Sequence, residues 1–193
     1  MQPKSDVVRI TYRGGRLMAE KLYAGHTFEE VVRLYADTVT GVCVMRLRNS
    51  TDAEDCFQNV FCKLYSKSPE FDNDEHLKAW LIRVTTNTCH SYFRNPFRRK
   101  RIDIDENEIA DIVDTGSSEQ DIVNRKVVMD AVMSLPEHYR IIVYLFYYEE
   151  YSISQISNIL RIKETTIQTR LSRAREKLRH VLADCFAEER SSL

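Results

Sequence analysis

The segment from Ser152 to Arg179 constrains the fold of this chain more than any other, because it writes two helices with only three residues between them. Ser152-Ile-Ser-Gln155 is a capping box, in which the hydroxyl accepts from the amide three residues on and the glutamine reaches back. The short helix it opens must stop at Arg161-Ile162-Lys163, and a longer one runs on from Glu164 or Thr165. On that second helix Ile167, Leu171, Ala174 and Leu178 recur at helical spacing and fix its inward face. Helix, tight turn, helix is the arrangement that presents one helix to the major groove of DNA.

The outward face has its own signal. From Arg161 to Arg179 the cations Arg161, Lys163, Arg170, Arg173, Arg175, Lys177 and Arg179 stand against Glu164 and Glu176, in a chain whose formal net charge is only -1. So local an excess points to a polyanion, with a solvated charged face as the competing reading. The amino-terminal end of the helix favours the first. Gln168, Thr169, Ser172 and Arg173 are residue types that hydrogen-bond base edges: Arg to guanine, Gln to adenine, hydroxyls to either. Thr166, Arg170, Arg175, Lys177 and Arg179 suit phosphate contacts, which position a protein without specifying sequence.

Elsewhere, five glycines and four prolines in 193 residues leave few stops, so helices should dominate. The expected fold class is all-α, with two small helical domains joined by an acidic linker. Thr27 and Glu30 form another capping box, opening a helix with Phe28, Val31, Val32, Tyr35, Val39, Val42 and Cys43 on one face and an end near Asn49. Thr51 or Asp52 caps a second helix, with Ala53, Phe57, Val60, Phe61 and Leu64 inward, and Asp74 caps a third that Asn95-Pro96 stops. These make a domain over residues 26–101. The basic run Arg98-Arg99-Lys100-Arg101 closes it, and a linker over 102–125 follows. That linker carries Asp103, Asp105, Glu106, Glu108, Asp111, Asp114, Glu119 and Asp121, with no cation before Arg125.

The second domain spans 126–185, with a tail at 186–193. Its first helix begins near Ile122, and Pro136 opens the next as its first helical residue. Residues 1–25 give less. Val7 to Tyr12 reads as a short strand ended by Gly14-Gly15, and Arg16 to Gly25 as a helical turn or two, with no functional reading.

Five cysteines, Cys43, Cys56, Cys62, Cys89 and Cys185, with no C-x-x-C spacing argue against a disulfide framework and a zinc site alike. No cofactor or metal is expected. No apolar run reaches the roughly 20 residues of a membrane span, and the amino terminus lacks a secretory apolar stretch, so a cytoplasmic protein without membrane insertion is expected. An enzyme is disfavoured, since no Gly-rich phosphate loop or nucleophile with a paired base is present. A self-sufficient helix-turn-helix regulator and an interaction scaffold remain as alternatives.

The stretch from Leu135 to Arg179 resembles the fourth domain of the extracytoplasmic-function sigma factors of bacterial RNA polymerase. Asp52 to Tyr65 and His76 to Arg101 resemble their second domain. The resemblance covers residues 28–182 in order and departs at Arg161 and Thr165, where glycines are usual, and at Ser157, where alanine is common. It implies promoter DNA and core polymerase as partners, the latter through the clamp of its largest subunit and the flap of its second-largest. It also implies an anti-sigma factor. On this likeness Asp55, Gln58 and Phe61 dock on the clamp. Phe71, Arg83, Asn87, Arg94, Arg98, Arg99 and Lys100 hold the melted minus-ten strand, where stacking of about 1.4 kcal/mol per step must be replaced. Trp80 is read as core. The linker would thread the polymerase cleft, and the last helix would read the minus-thirty-five element.

Overall fold

A computed structural model describes residues 8–13, 16–67, 69–93 and 119–191, with side chains described within 21–67, 69–92 and 125–183. The described residues begin with an antiparallel hairpin of β1 (Val8–Arg13) and β2 (Arg16–Lys21), in which Val8 faces Lys21 and Arg13 faces Arg16. The strand expected in the first half is present. The helical turn expected from Arg16 is replaced by the second strand, because a partner one Gly-Gly away offers its backbone a ladder at once. Both domains that follow are helical.

The first domain consists of α1 (Phe28–Leu47), α2 (Ser50–Lys67) and α3 (Asp74–Phe93). The Thr27 box forms, with Thr27 Oγ1 accepting from Glu30 N at 3.2 Å and Thr27 N donating to Glu30 Oε2 at 2.7 Å. Arg48, in the left-handed region at φ 54°, ends α1. The next two caps fall earlier than the sequence suggested. Asn49 Oδ1 accepts from Asp52 N at 2.8 Å, and Asn73 Oδ1 accepts from His76 N at 2.8 Å. Asn caps as well as Asp does, which releases Asp52 and Asp74 into first turns, where the helix dipole favours them. Val31, Val39, Val60, Leu64, Leu77 and Leu81 fill the core between the three helices.

The second domain consists of α4 (Glu119–Ser134), α5 (Glu137–Val143) continued by a π-helical turn (Tyr144–Tyr148), α6 (Ile153–Leu160) and α7 (Glu164–Ser191). Pro136 has ψ 142°, so it precedes α5 and is not its first helical residue. Its carbonyl still accepts the first turn's amides, Tyr139 N at 2.8 Å and Arg140 N at 3.2 Å. Ile142, Leu145, Ile156 and Ile167 are wholly buried beside Leu171 and Ala174, which confirms the inward face of α7.

The two domains share a seam. Val42, Met45 and Ile82 of the first belong to the second domain's apolar cluster, with α1 against α5 and α3 against α6. Gly41 makes this approach feasible, because the Tyr144 ring occupies the place a Cβ at Gly41 would take. A helix-interior glycine costs about 1 kcal/mol relative to alanine. Here the close packing of Tyr144 accounts for it.

Candidate nucleic-acid interface

The turn between α6 and α7 is built on Arg161, at φ 56° and ψ 44°. A side chain in this left-handed conformation costs roughly 1–2 kcal/mol, and the turn forms all the same. The amide of Ile162 donates to Ser157 O at 3.2 Å, closing the end of α6. The departure from glycine at this position therefore leaves the three-residue turn intact.

On α7, Gln168, Thr169, Ser172 and Arg173 are all exposed and lie on adjoining turns. Thr169 Oγ1 donates to Thr165 O at 2.8 Å, so its hydroxyl presents an acceptor, not a donor, to a partner. Thr166 and Arg170 are half-buried; Lys177 and Arg179 are exposed. Arg175 behaves differently from the other expected phosphate contacts. Its Nε donates to Tyr147 Oη at 2.7 Å, and its guanidinium lies 5.5 Å from the Phe146 ring centroid and 5.7 Å from that of Tyr147.

Two of the residues expected on the single-strand surface, Arg83 and Asn87, face the second domain instead. Arg83 Nε donates to Ile159 O at 3.1 Å and its Nη2 to Asn158 O at 3.0 Å, at the carbonyl end of α6, where the helix dipole favours a cation. With Thr86, Asn87, Ile159, Leu160 and Arg161 it lines a recess of about 230 Å³. Phe71 is half-buried, its ring centroid 5.5 Å from His76, 5.6 Å from Trp80 and 6.5 Å from Tyr23. Arg94, Arg98, Arg99 and Lys100 lie outside the described residues, as does the linker from 102 to 118. Of the docking candidates on α2, Gln58 is exposed and Asp55 half-buried. Phe61 is 5% exposed and packs on Phe28 and Phe57 with centroids 6.4 and 4.9 Å away. Its place is in the core, because the α2 apolar stripe that carries Val60 and Leu64 includes it.

Both halves of this arrangement have counterparts among known proteins. The family description "Sigma-70 region 2" matches residues 31–99, and "Sigma-70, region 4" matches residues 125–178. The chain belongs to the sigma-70 family. Its relatives place it in the extracytoplasmic-function group. It is 29% identical over 167 residues to the ECF RNA polymerase sigma factor SigW of Bacillus subtilis, covering 81% of this chain and 89% of that one. It is 28% identical over 176 residues to the ECF RNA polymerase sigma-E factor of Escherichia coli K12, covering 84% and 91%. The fold is that of the sigma factor RpoE solved with the anti-sigma factor NepR from Bartonella quintana, at TM-score 0.62 and 24% identity over 81% of this chain and 96% of that one. It is also similar to CnrH solved with the cytosolic domain of CnrY, at TM-score 0.56 and 20% identity over 81% and 88%. No helix among the described residues is long and apolar enough to cross a membrane.

In this sigma-70 chain the seam between the two domains is polar as well as apolar. Lys78 Nζ lies 2.7 Å from Glu149 Oε2, and the Glu149 side chain is only 5% exposed. Tyr144 Oη donates to Glu149 Oε1 at 2.8 Å, and Thr38 Oγ1 donates to its other oxygen at 3.4 Å. Burial, and then the Glu149 carboxylate, push the Tyr144 phenol well above its ordinary range. Arg140 crosses the seam fully buried, its Nε donating to Met45 O at 2.9 Å and its Nη1 to Met133 O at 3.2 Å. Burial lowers its pKa to about 10, helped by the nearby charge of Arg48. Arg48 donates to the same Met133 carbonyl, Arg46 pairs with Glu137, and Gln155 Nε2 donates to Glu75 Oε1 at 2.8 Å.

One constellation escaped the sequence reading altogether. Cys43, Cys56 and Cys89 come together in the first domain's core, one from each helix. Their separations along the chain match no ligand pattern, and only the three-helix packing joins them. The available signal was helical phase, which puts each on an inward face.

Proposed function

We propose that this chain binds core RNA polymerase and directs initiation at promoters with minus-ten and minus-thirty-five elements, leaving the covalent chemistry to the polymerase. The observation that carries the reading is the exposed face of α7. Gln168, Thr169, Ser172 and Arg173 stand on it with their inward neighbours fixed in the core, in a chain whose family serves transcription initiation. These four would read base edges of the upstream element, and Thr166, Arg170, Lys177 and Arg179 would grip phosphates on either side.

On the first domain, Asp55 and Gln58 are the residues of α2 offered to the polymerase clamp, and buried Phe61 supports them from beneath. Arg83 and Asn87 would hold the melted strand, together with Arg94, Arg98, Arg99 and Lys100. With Arg83 bonded to α6, that role requires the domains to part. Separation is also a matter of reach, since base pairs rise about 3.4 Å each along DNA and the two elements are not adjacent on a promoter. Polymerase binding at two points would hold the domains apart, and tethering then raises the effective concentration at the second element.

A cytoplasmic location follows from that of the polymerase. An anti-sigma factor is a fitting partner because a protein of similar fold was solved bound to one. The test is transcription reconstituted from purified core enzyme, this chain and genomic fragments. The expected outcome is a stable complex with core and promoter-dependent transcripts. A chain that binds operator DNA yet never binds core would instead be a self-sufficient regulator.

A further inference from the structure

Three of the five cysteines, each from a different helix, meet at one point: Cys43 on α1, Cys56 on α2 and Cys89 on α3. Their Sγ atoms all lie within 4.8 Å of one another, with Cys56 and Cys89 at 3.3 Å. None is more than 1% exposed. Packing alone asks only for small apolar side chains at such positions, which alanine or valine would supply. Three sulfurs converging from three helices serve a narrower purpose. Around a zinc ion with bonds of about 2.3 Å, tetrahedral geometry sets three thiolates about 3.8 Å apart, within the 4.8 Å that separates these atoms at most.

We propose that Cys43, Cys56 and Cys89 form a trithiolate site for a divalent thiophilic cation, zinc in the first instance, that ties the three helices of the first domain together. Binding replaces three S–H bonds by three S–Zn bonds and releases three protons to solvent, with no change of oxidation state. Three thiolates and one divalent ion leave a single negative charge, which a buried site must have compensated. Lys63 stands ready for that, its Nζ donating to Thr88 Oγ1 at 2.8 Å beside Cys89 in the chain. The carbonyl of Thr85, 3.9 Å from Cys56 Sγ, is an oxygen within reach of the fourth position. Zinc's preference for tetrahedral N, O and S sets accommodates such a mixed set. This site is independent of how the chain reads promoters. Its effect is to brace α2 and α3, which carry the docking and strand-holding residues.

The experiment uses the untagged full chain, reduced and stripped of metal, with cadmium as the spectroscopic probe and zinc as competitor. The expected result is sulfur-to-cadmium charge-transfer absorption that saturates at one equivalent, three sulfur neighbours by X-ray absorption, and a melting temperature raised by zinc. Cys89→Ser should weaken binding by more than about 100-fold, beyond what loss of an outer partner causes, while Cys62→Ser and Cys185→Ser leave it unchanged. Absence of saturation at one equivalent, fewer than three sulfurs, or equal binding by Cys89→Ser would overturn the proposal. So would a chain that takes up no cadmium and instead yields a Cys56–Cys89 disulfide on peptide mapping. Should Cys89→Ser fail to fold, the sulfur count on the unaltered chain decides.

Discussion

The outward face of α7 and the face of α3 turned to the second domain both carry residues expected to meet DNA, and their surroundings treat them in opposite ways. On α7, Gln168, Ser172 and Arg173 are exposed. On α3, Arg83 has committed two donors to carbonyls of α6, and it shares a recess with Asn87, Leu160 and Arg161. Their neighbours differ most. The carbonyl end of α6 attracts a cation, and Arg83 is the cation that the seam delivers to it. The same helix-turn-helix thus displays one candidate DNA surface and covers the other. On the proposed roles, duplex reading by α7 is open to the chain as it stands, whereas strand capture by α3 would await separation of the domains.

The strongest way to break this asymmetry is to remove the more buried carboxylate's ion pair across the seam, Lys78 with Glu149. Lys78→Met leaves Glu149 buried with only hydroxyl donors. Stranding a buried charge costs about 3–5 kcal/mol, and the partial exposure of Lys78 places the expected effect near the lower end, about 3 kcal/mol. Domain opening relieves the penalty by hydrating Glu149. The radius of gyration in solution scattering should rise while helical circular dichroism persists. Adding Glu149→Gln should return the chain toward the closed form. An unchanged radius in the single variant would show that the pair does not hold the domains together.

Gly41 offers a steric route to the same end. A Cβ there meets the Tyr144 ring, so Gly41→Val overpacks the seam at a cost of about 1–3 kcal/mol. The atoms that a Cβ at Gly41 meets first belong to Tyr144, a member of the second domain's cluster. The expected outcome is an opened chain with tighter binding to single-stranded minus-ten DNA and unaltered binding of α7 to duplex. Binding that changes equally on both DNAs would contradict the asymmetry.

How much of this was legible in sequence follows the same division. The α7 face was, because a helix carrying Ile167, Leu171 and Ala174 inward fixes the direction of Gln168 and Arg173 by local periodicity alone. The capping boxes at Thr27 and Ser152 were legible for the same reason, since donor and acceptor lie three residues apart. Arg83 was not, because its partners are 75 and 76 residues away. The cysteine trio was missed likewise. Phe61 was read for its place on α2, although its stripe already marked it as core. The caps at Asn49 and Asn73 went to neighbours because Asn and Asp compete as caps on nearly equal terms, and Asp52 and Asp74 had a second favourable place waiting one turn in.

Within the open surface, Arg173→Ala probes specificity. Loss of a bidentate contact to a base costs about 1–3 kcal/mol and relaxes preference at one base pair. Binding to a randomised upstream element, sequenced before and after selection, should show one position losing information. A preference left intact would remove Arg173 from the readers and return it to the phosphate contacts.

The smallest expected effect separates two cations that sequence treats alike. Lys177 is exposed, whereas Arg175 is bonded to Tyr147 Oη at 2.7 Å and lies over Phe146 and Tyr147. If both gripped phosphate, each alanine variant would lower the slope of log K against log salt by about one. The structure instead leads us to expect that loss from Lys177→Ala alone. Arg175→Ala should change the slope little and destabilise the second domain by about 0.5–1 kcal/mol, the value of an exposed cation–π contact. Equal salt slopes in the two variants would mean that Arg175 leaves the aromatic pair on meeting DNA, so that its contact with Tyr147 belongs only to the unbound chain.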